Sequence, residues 1–93
     1  MDDVIAQSKF LLKRRDSDIQ KTLTIELSRP VAGRNVIDYV CEIRLVEFPV
    51  WDRHAFALHG VDGMQAIEVA LEFKNKILHY LEEDYVVEIF DEP

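Results

Sequence analysis

Between Thr22 and Ser28 the chain alternates without a break: Leu23, Ile25 and Leu27 are apolar, and Thr22, Thr24, Glu26 and Ser28 are polar. A period of two is the signature of a strand with one face on a core. The same pattern returns with Tyr39, Cys41, Ile43 and Leu45 opposite Val40, Glu42, Arg44 and Val46. Pro49 ends this strand, because proline cannot donate to a ladder. An earlier strand starts near Val4 and includes Phe10-Leu11-Leu12, with Arg15-Asp16-Ser17-Asp18 as the polar turn after it. Pro30 and Gly33 open a loop that runs through Asp38. Arg53 to His59 reads as a fourth strand, and the β-branched and aromatic run from Tyr85 to Phe90 as a fifth.

Between those last two strands the period changes to 3.6. Gln65, Glu68, Glu72, Asn75, Lys76, His79 and Glu83 share one helical face. Ala66, Ile67, Val69, Ala70, Leu71, Phe73, Ile77, Leu78, Tyr80 and Leu81 fill an arc of about 200° at 100° per residue. Asp62 is placed as N-cap, and Gln65, three residues on, completes a capping box. The helix runs from a turn at Gly60 to about Glu82.

The element order is β-β-β-β-α-β. It predicts an α+β domain spanning residues 1–93, with a mainly antiparallel sheet of four to five strands and one long helix across one face. Leu23, Ile25, Leu27, Cys41, Ile43, Phe56 and Leu58 are expected to be buried. The other sheet face is mixed, with Thr22, Thr24, Glu26, Val40, Glu42, Arg44 and Val46, and such a face stands in water. A helix on a sheet buries little more than 100° of its circumference, so the wider arc predicts a homodimer with Val69, Phe73 and Tyr80 at its seam.

Composition narrows the class. The chain has 93 residues, 48% of them hydrophobic and 31% charged, which suits one globular domain. No apolar run approaches the roughly 20 residues of a membrane span, and one cysteine allows no internal disulfide. A cytoplasmic protein without a membrane partner is expected. The net charge is −7 and unevenly spread. From Gly63 onward eight acids face only Lys74 and Lys76, whereas the first sixty-two residues are nearly balanced. This surface repels phosphate backbones and attracts basic partners, or serves only as a solvated face. Lys13-Arg14-Arg15 is too short, and too closely flanked by Asp16 and Asp18, to predict nucleic-acid binding.

Catalytic chemistry is thinly represented, and no cofactor, metal or catalytic residue is assigned. Cys41 alternates inward with Tyr39 and Ile43 and reads as a core residue. Asp52 with His54, and His59 with Asp62, are two-member pairs, short of the ligand set a metal needs. Lys74 falls inside the apolar arc, either with its stem on the sheet and its ammonium in water or as a desolvated amine. Trp51, in the apolar Phe48-Pro49-Val50-Trp51 loop, either folds over the sheet edge or meets a partner.

Cys41 to Leu45, then Phe56 to Ile67 with its Gly60-Val61-Asp62-Gly63-Met64-Gln65-Ala66 core, then Ala70-Leu71 and Leu81, resemble a family of small uncharacterised bacterial proteins. The resemblance covers about residues 39–81 and implies a bacterial cytosolic α+β domain without bringing an activity. On it, Asp62 and Gln65 are helix caps, and Ala66 and Ala70 mark a close approach of helix to sheet. Two function classes follow. One is a non-enzymatic protein-interaction module, acidic and suited to a basic partner, such as the immunity component of a toxin pair. The alternative is a small-ligand or enzymatic domain built on the turn around His59 and Asp62.

Overall fold

A computed structural model describes residues 3–33, 38–48 and 51–90. Strands β1 (Val4–Arg14) and β2 (Gln20–Ser28) form a hairpin in which Phe10 lies opposite Leu23. Strand β4 (Tyr39–Val46) pairs along the other edge of β2, with Ile25 opposite Leu45 and Leu27 opposite Ile43. Beyond it β5 (Ala55–Gly60) pairs with β4, and on the far side β6 (Tyr85–Ile89) pairs with β1. Across the sheet the order is therefore β5-β4-β2-β1-β6, antiparallel at every step. That order makes β5 and β6 parallel at opposite edges, and helix α1 (Gly63–Leu81) is the crossover between them.

One element was not foreseen. Val31–Ala32 (β3) lies where the pattern reads as loop, and pairs with Val40 and Tyr39 one residue out of step with the β2–β4 ladder. The slip has a chemical cause. Pro30 has no N–H to offer, and Ser28 bridges the gap instead. Its hydroxyl accepts from the Glu42 N–H at 2.7 Å, and its carbonyl accepts the Cys41 thiol at 3.0 Å. β3 prolongs β2 past this irregularity. Pro49, expected to end the strand before the Trp51 loop, lies outside the described residues, as does Val50.

The core sits between the sheet and α1. Leu12, Leu23, Cys41, Ile43, Leu45 and Ile77 are its largest fully enclosed side chains. Phe56 and Leu58, expected to be buried, are only partly so, because β5 is an edge strand. Thr24 and Ser28 depart the other way. Both point to the polar face, yet both are buried. Glu47 covers Thr24: its carboxylate accepts from Thr22 at 2.9 Å and Thr24 at 3.1 Å. Its backbone is left-handed at φ 77, a conformation unusual for glutamate that these two hydroxyls help hold.

The polar face is tied across strands as well as solvated. The Arg44 guanidinium forks onto both carboxylate oxygens of Asp3 and also donates to Glu42. The hydrogen bonds from Arg44 hold the Asp3 carboxyl below its ordinary range, and those to Asp3 and then Glu42 push the guanidinium further up. The basic run is similarly engaged. Lys13 meets Glu88 at 2.8 Å, Arg14 meets Asp16, and Arg15 donates to the Glu82 carbonyl at the C-terminus of α1, where a cation opposes the negative helix end.

The start of α1 follows the capping expectation with one shift. Asp62 accepts from the Gln65 N–H at 2.8 Å, whereas the Gln65 side chain reaches past Asp62 to the Val61 N–H at 2.7 Å. Gly60 is demanded by crowding. A methyl group there would stand 2.4 Å from the Ala66 nitrogen, and no glycine has a positive φ. Ala66 and Ala70 are both enclosed, so small residues on both sides let the helix lie close on β4 and β5.

Candidate functional site

The stripe of α1 sealed against the sheet is narrow. Ala66, Ala70, Ile77 and Leu81 span only about 60° of the helix. The surplus apolar width divides into two flanks with different fates. On one, Ile67, Leu71, Lys74 and Leu78 overhang the sheet, and Leu71 and Lys74 line a small apolar cleft with Ala6, Ser8 and Leu27. Lys74 is half-buried there, with an apolar floor for its stem.

On the other flank α1 meets β5 through aromatic rings. Phe73 packs on Phe56 with centroids 4.9 Å apart, Phe56 meets Trp51 edge-on at 5.5 Å, and Trp51 tilts over Tyr80 at 5.5 Å. The Arg53 guanidinium covers the Phe56 ring at 5.2 Å. Three residues singled out from the sequence, Trp51, Phe73 and Tyr80, thus form one cluster with Phe56, and Val69 lies half-buried on the same helical flank. Trp51 folds over the edge strand and still keeps 41% of its surface exposed, while Tyr80 keeps 47%. Phe56, expected as simple core, is the ring that joins the others. Its position opposite Ile43 on an edge strand leaves one side open for Trp51.

The acidic face adjoins this cluster. Glu72 follows Val69 by three residues and lies beside it on the helix surface, whereas Glu83, expected on the same helical face, falls in the turn after α1, where its N–H donates to the Tyr80 carbonyl at 3.4 Å. Glu68, Glu72, His79, Glu82 and Glu83 are all exposed.

The other candidate residues disperse. His59 does not join Asp62. Its Nδ1 lies 3.0 Å from Asp38, while Asp62 is engaged with the Gln65 N–H. Asp52 and His54 are exposed, and the His54 carbonyl accepts from the Leu45 N–H. Cys41 is enclosed, and burial pushes its thiol pKa up, the opposite of what a thiolate nucleophile needs. Among the described residues no group of three or more His, Cys, Asp or Glu is placed to hold a metal, and no helix is long and apolar enough to cross a membrane. An open groove of about 540 Å³ is lined by Leu11, Gln20, Lys21, Thr22, Glu47 and Phe48, none of them a candidate residue.

Comparison with family models, curated proteins and solved structures finds no match to this chain. The resemblance carried by residues 39–81 therefore remains an expectation from the motif alone.

Proposed function

We propose that this chain is a non-enzymatic protein-interaction module that uses the Trp51–Phe56–Phe73–Tyr80 cluster and the adjoining acidic face of α1 to dock a basic protein, in the manner of an immunity protein covering a toxin. The observation that carries this reading is the half-exposed Trp51–Tyr80 pair, with exposed Glu83 in the turn that follows Tyr80 and exposed Glu72 two turns back along the helix. Aromatic anchors with a charged rim are the usual anatomy of an interaction hot spot. An arginine or lysine side chain fits both parts, stacking on a ring and pairing with a carboxylate. The rings already pack against one another within one chain, so the width of α1 no longer requires a helix-to-helix seam through Val69, Phe73 and Tyr80.

Trp51 is the one tryptophan of the chain, so its fluorescence reports occupancy directly. Titration with an arginine-rich peptide is expected to shift that emission, with affinity falling as salt is added. Tyr80→Ser is expected to weaken binding at least about fivefold, the loss of a contact worth about 1 kcal/mol or more. Equal affinity of wild type and Tyr80→Ser, or equal binding of a glutamate-rich peptide, would refute the proposal.

A further inference from the structure

The second surface lies at the opposite edge of the sheet. Strand β6 pairs with β1, and its hydrogen bonds show which way each residue faces. The Phe90 N–H donates to Lys9 at 2.8 Å and the Arg15 N–H to Asp84 at 3.0 Å. In an antiparallel ladder the hydrogen-bonded positions alternate. Residues 84, 86, 88 and 90 therefore direct their backbone groups to β1. Tyr85, Val87 and Ile89 direct theirs outward, where among the described residues no strand meets them.

Natural edge strands are guarded by lysine, proline or a bulge. β6 reads Tyr-Val-Val-Glu-Ile and has none of these. Its one charge, Glu88, is paired with Lys13. Ile89 is 80% exposed, and Val86 and Phe90 are also open to solvent. The opposite edge is less inviting. On β5 the outward positions are Ala55, Ala57 and His59, by the same alternation from the Leu45-to-His54 bond, and Trp51 and Arg53 already sit on Phe56.

We propose that the occupant of the β6 edge is a second copy of this chain, paired antiparallel about a two-fold axis through Val87. In that register Val87 faces the second copy's Val87, and Tyr85 faces the second copy's Ile89 in both directions. All outward N–H and C=O groups of Tyr85, Val87 and Ile89 then find partners in hydrogen-bonded pairs. Moving the axis by one residue along the strand leaves a terminal pair unmade, so the backbone itself selects this register. Each exposed Ile89 gains as cross-strand neighbour the second copy's Tyr85, whose ring is itself held in the core edge-on to Phe48. The two sheets become one, with α1 on the same face of each half. Each copy carries a net charge of −7, so association works against like-charge repulsion. This association therefore tightens as salt rises, whereas docking of a basic partner weakens.

Val87→Pro is the direct test, because the Val87 N–H points away from β1 and its loss removes only an edge donor. In sedimentation equilibrium, wild type is expected to show a reversible dimer that strengthens with salt. Val87→Pro should weaken it at least about tenfold with the far-UV circular dichroism unchanged. Should Val87→Pro fail to fold, Ile89→Lys, which alters a side chain lying largely in water, gives the same reading. Ala57→Pro on the β5 edge should leave the dimer intact. Amide exchange should show protection gained on association at Tyr85, Val87 and Ile89 and unchanged at Val86 and Glu88. A wild-type chain that stays monomeric to millimolar concentration overturns the proposal. So does a dimer that survives both Val87→Pro and Ile89→Lys, or one abolished by Ala57→Pro alone.

Discussion

The same substitution made at Gly60 and at Gly63 should act in opposite directions. A Cβ at Gly60 would lie 2.4 Å from the Ala66 nitrogen and 2.9 Å from the Ala66 Cα and the Gln65 carbonyl carbon. The first is about 1 Å closer than the 3.4 Å at which ordinary contact begins. All three atoms are backbone, so no side chain can swing aside. The helix start must move, and it is held by the Ala66 N–H on the Asp62 carbonyl at 3.0 Å and by the enclosed Ala66 methyl group. Overpacking against a fixed neighbour costs about 1–3 kcal/mol, and a backbone clash of this depth belongs at the upper end, about 2–3 kcal/mol. For a domain whose total stability is about 5–15 kcal/mol, that is a large fraction. At Gly63 the nearest atom is the Pro30 Cγ at 3.4 Å, so a methyl group fits. Because φ is not positive at either position, Gly63→Ala only reduces the freedom of the unfolded chain and should stabilise by about 0.4–1 kcal/mol. Urea unfolding followed by circular dichroism reads both. With a slope of about 1–1.5 kcal/mol per molar for a domain this small, the midpoint should fall by roughly 2 M for Gly60→Ala and rise by roughly 0.5 M for Gly63→Ala. A neutral Gly60→Ala, or losses of similar size at both positions, would show that the glycines serve chain flexibility rather than close approach.

Asp62→Ala should cost about 0.5–2 kcal/mol in the same assay, since it orphans the Gln65 N–H; a negligible loss would mean that the Gln65–Val61 bond holds the turn without it. The Asp3–Arg44 tie should make stability fall in acid. The folded carboxyl is depressed below its ordinary value of 3.8 by the Arg44 hydrogen bonds, so its contribution is complete above that value and is lost as pH falls through the lower folded one. Comparing wild type with Asp3→Asn between neutral pH and about pH 3 should show a shallower acid decline in the variant, and parallel declines would assign the effect to other carboxylates.

Local physics made the main elements legible. In β2 and β4 successive side chains must point to opposite faces, so burial of one face writes itself into the order of residues as Leu23-Thr24-Ile25 and Cys41-Glu42-Ile43. In α1 the 3.6 period and the Asp62 cap did the same, and the helix forms over nearly the span its pattern marks. The acidity of the last third is likewise a property of composition, and no fold can redistribute it along the chain. What escaped depends on groups far apart in sequence that meet only when the sheet closes. β3 exists because β4 supplies partners across a slip at Pro30, and two residues carry no period of their own. Thr24 is buried on a polar face because Glu47, twenty-three residues later, turns back over it. His59 finds Asp38 across the sheet instead of its near neighbour Asp62. The width of α1 was readable, but its meaning was not. Only the order β5-β4-β2-β1-β6 puts Trp51 and Phe56 under one flank of the helix and leaves β6 at an open edge. Periodicity reports which face of an element is apolar; which neighbour covers that face is decided by the path of the whole chain.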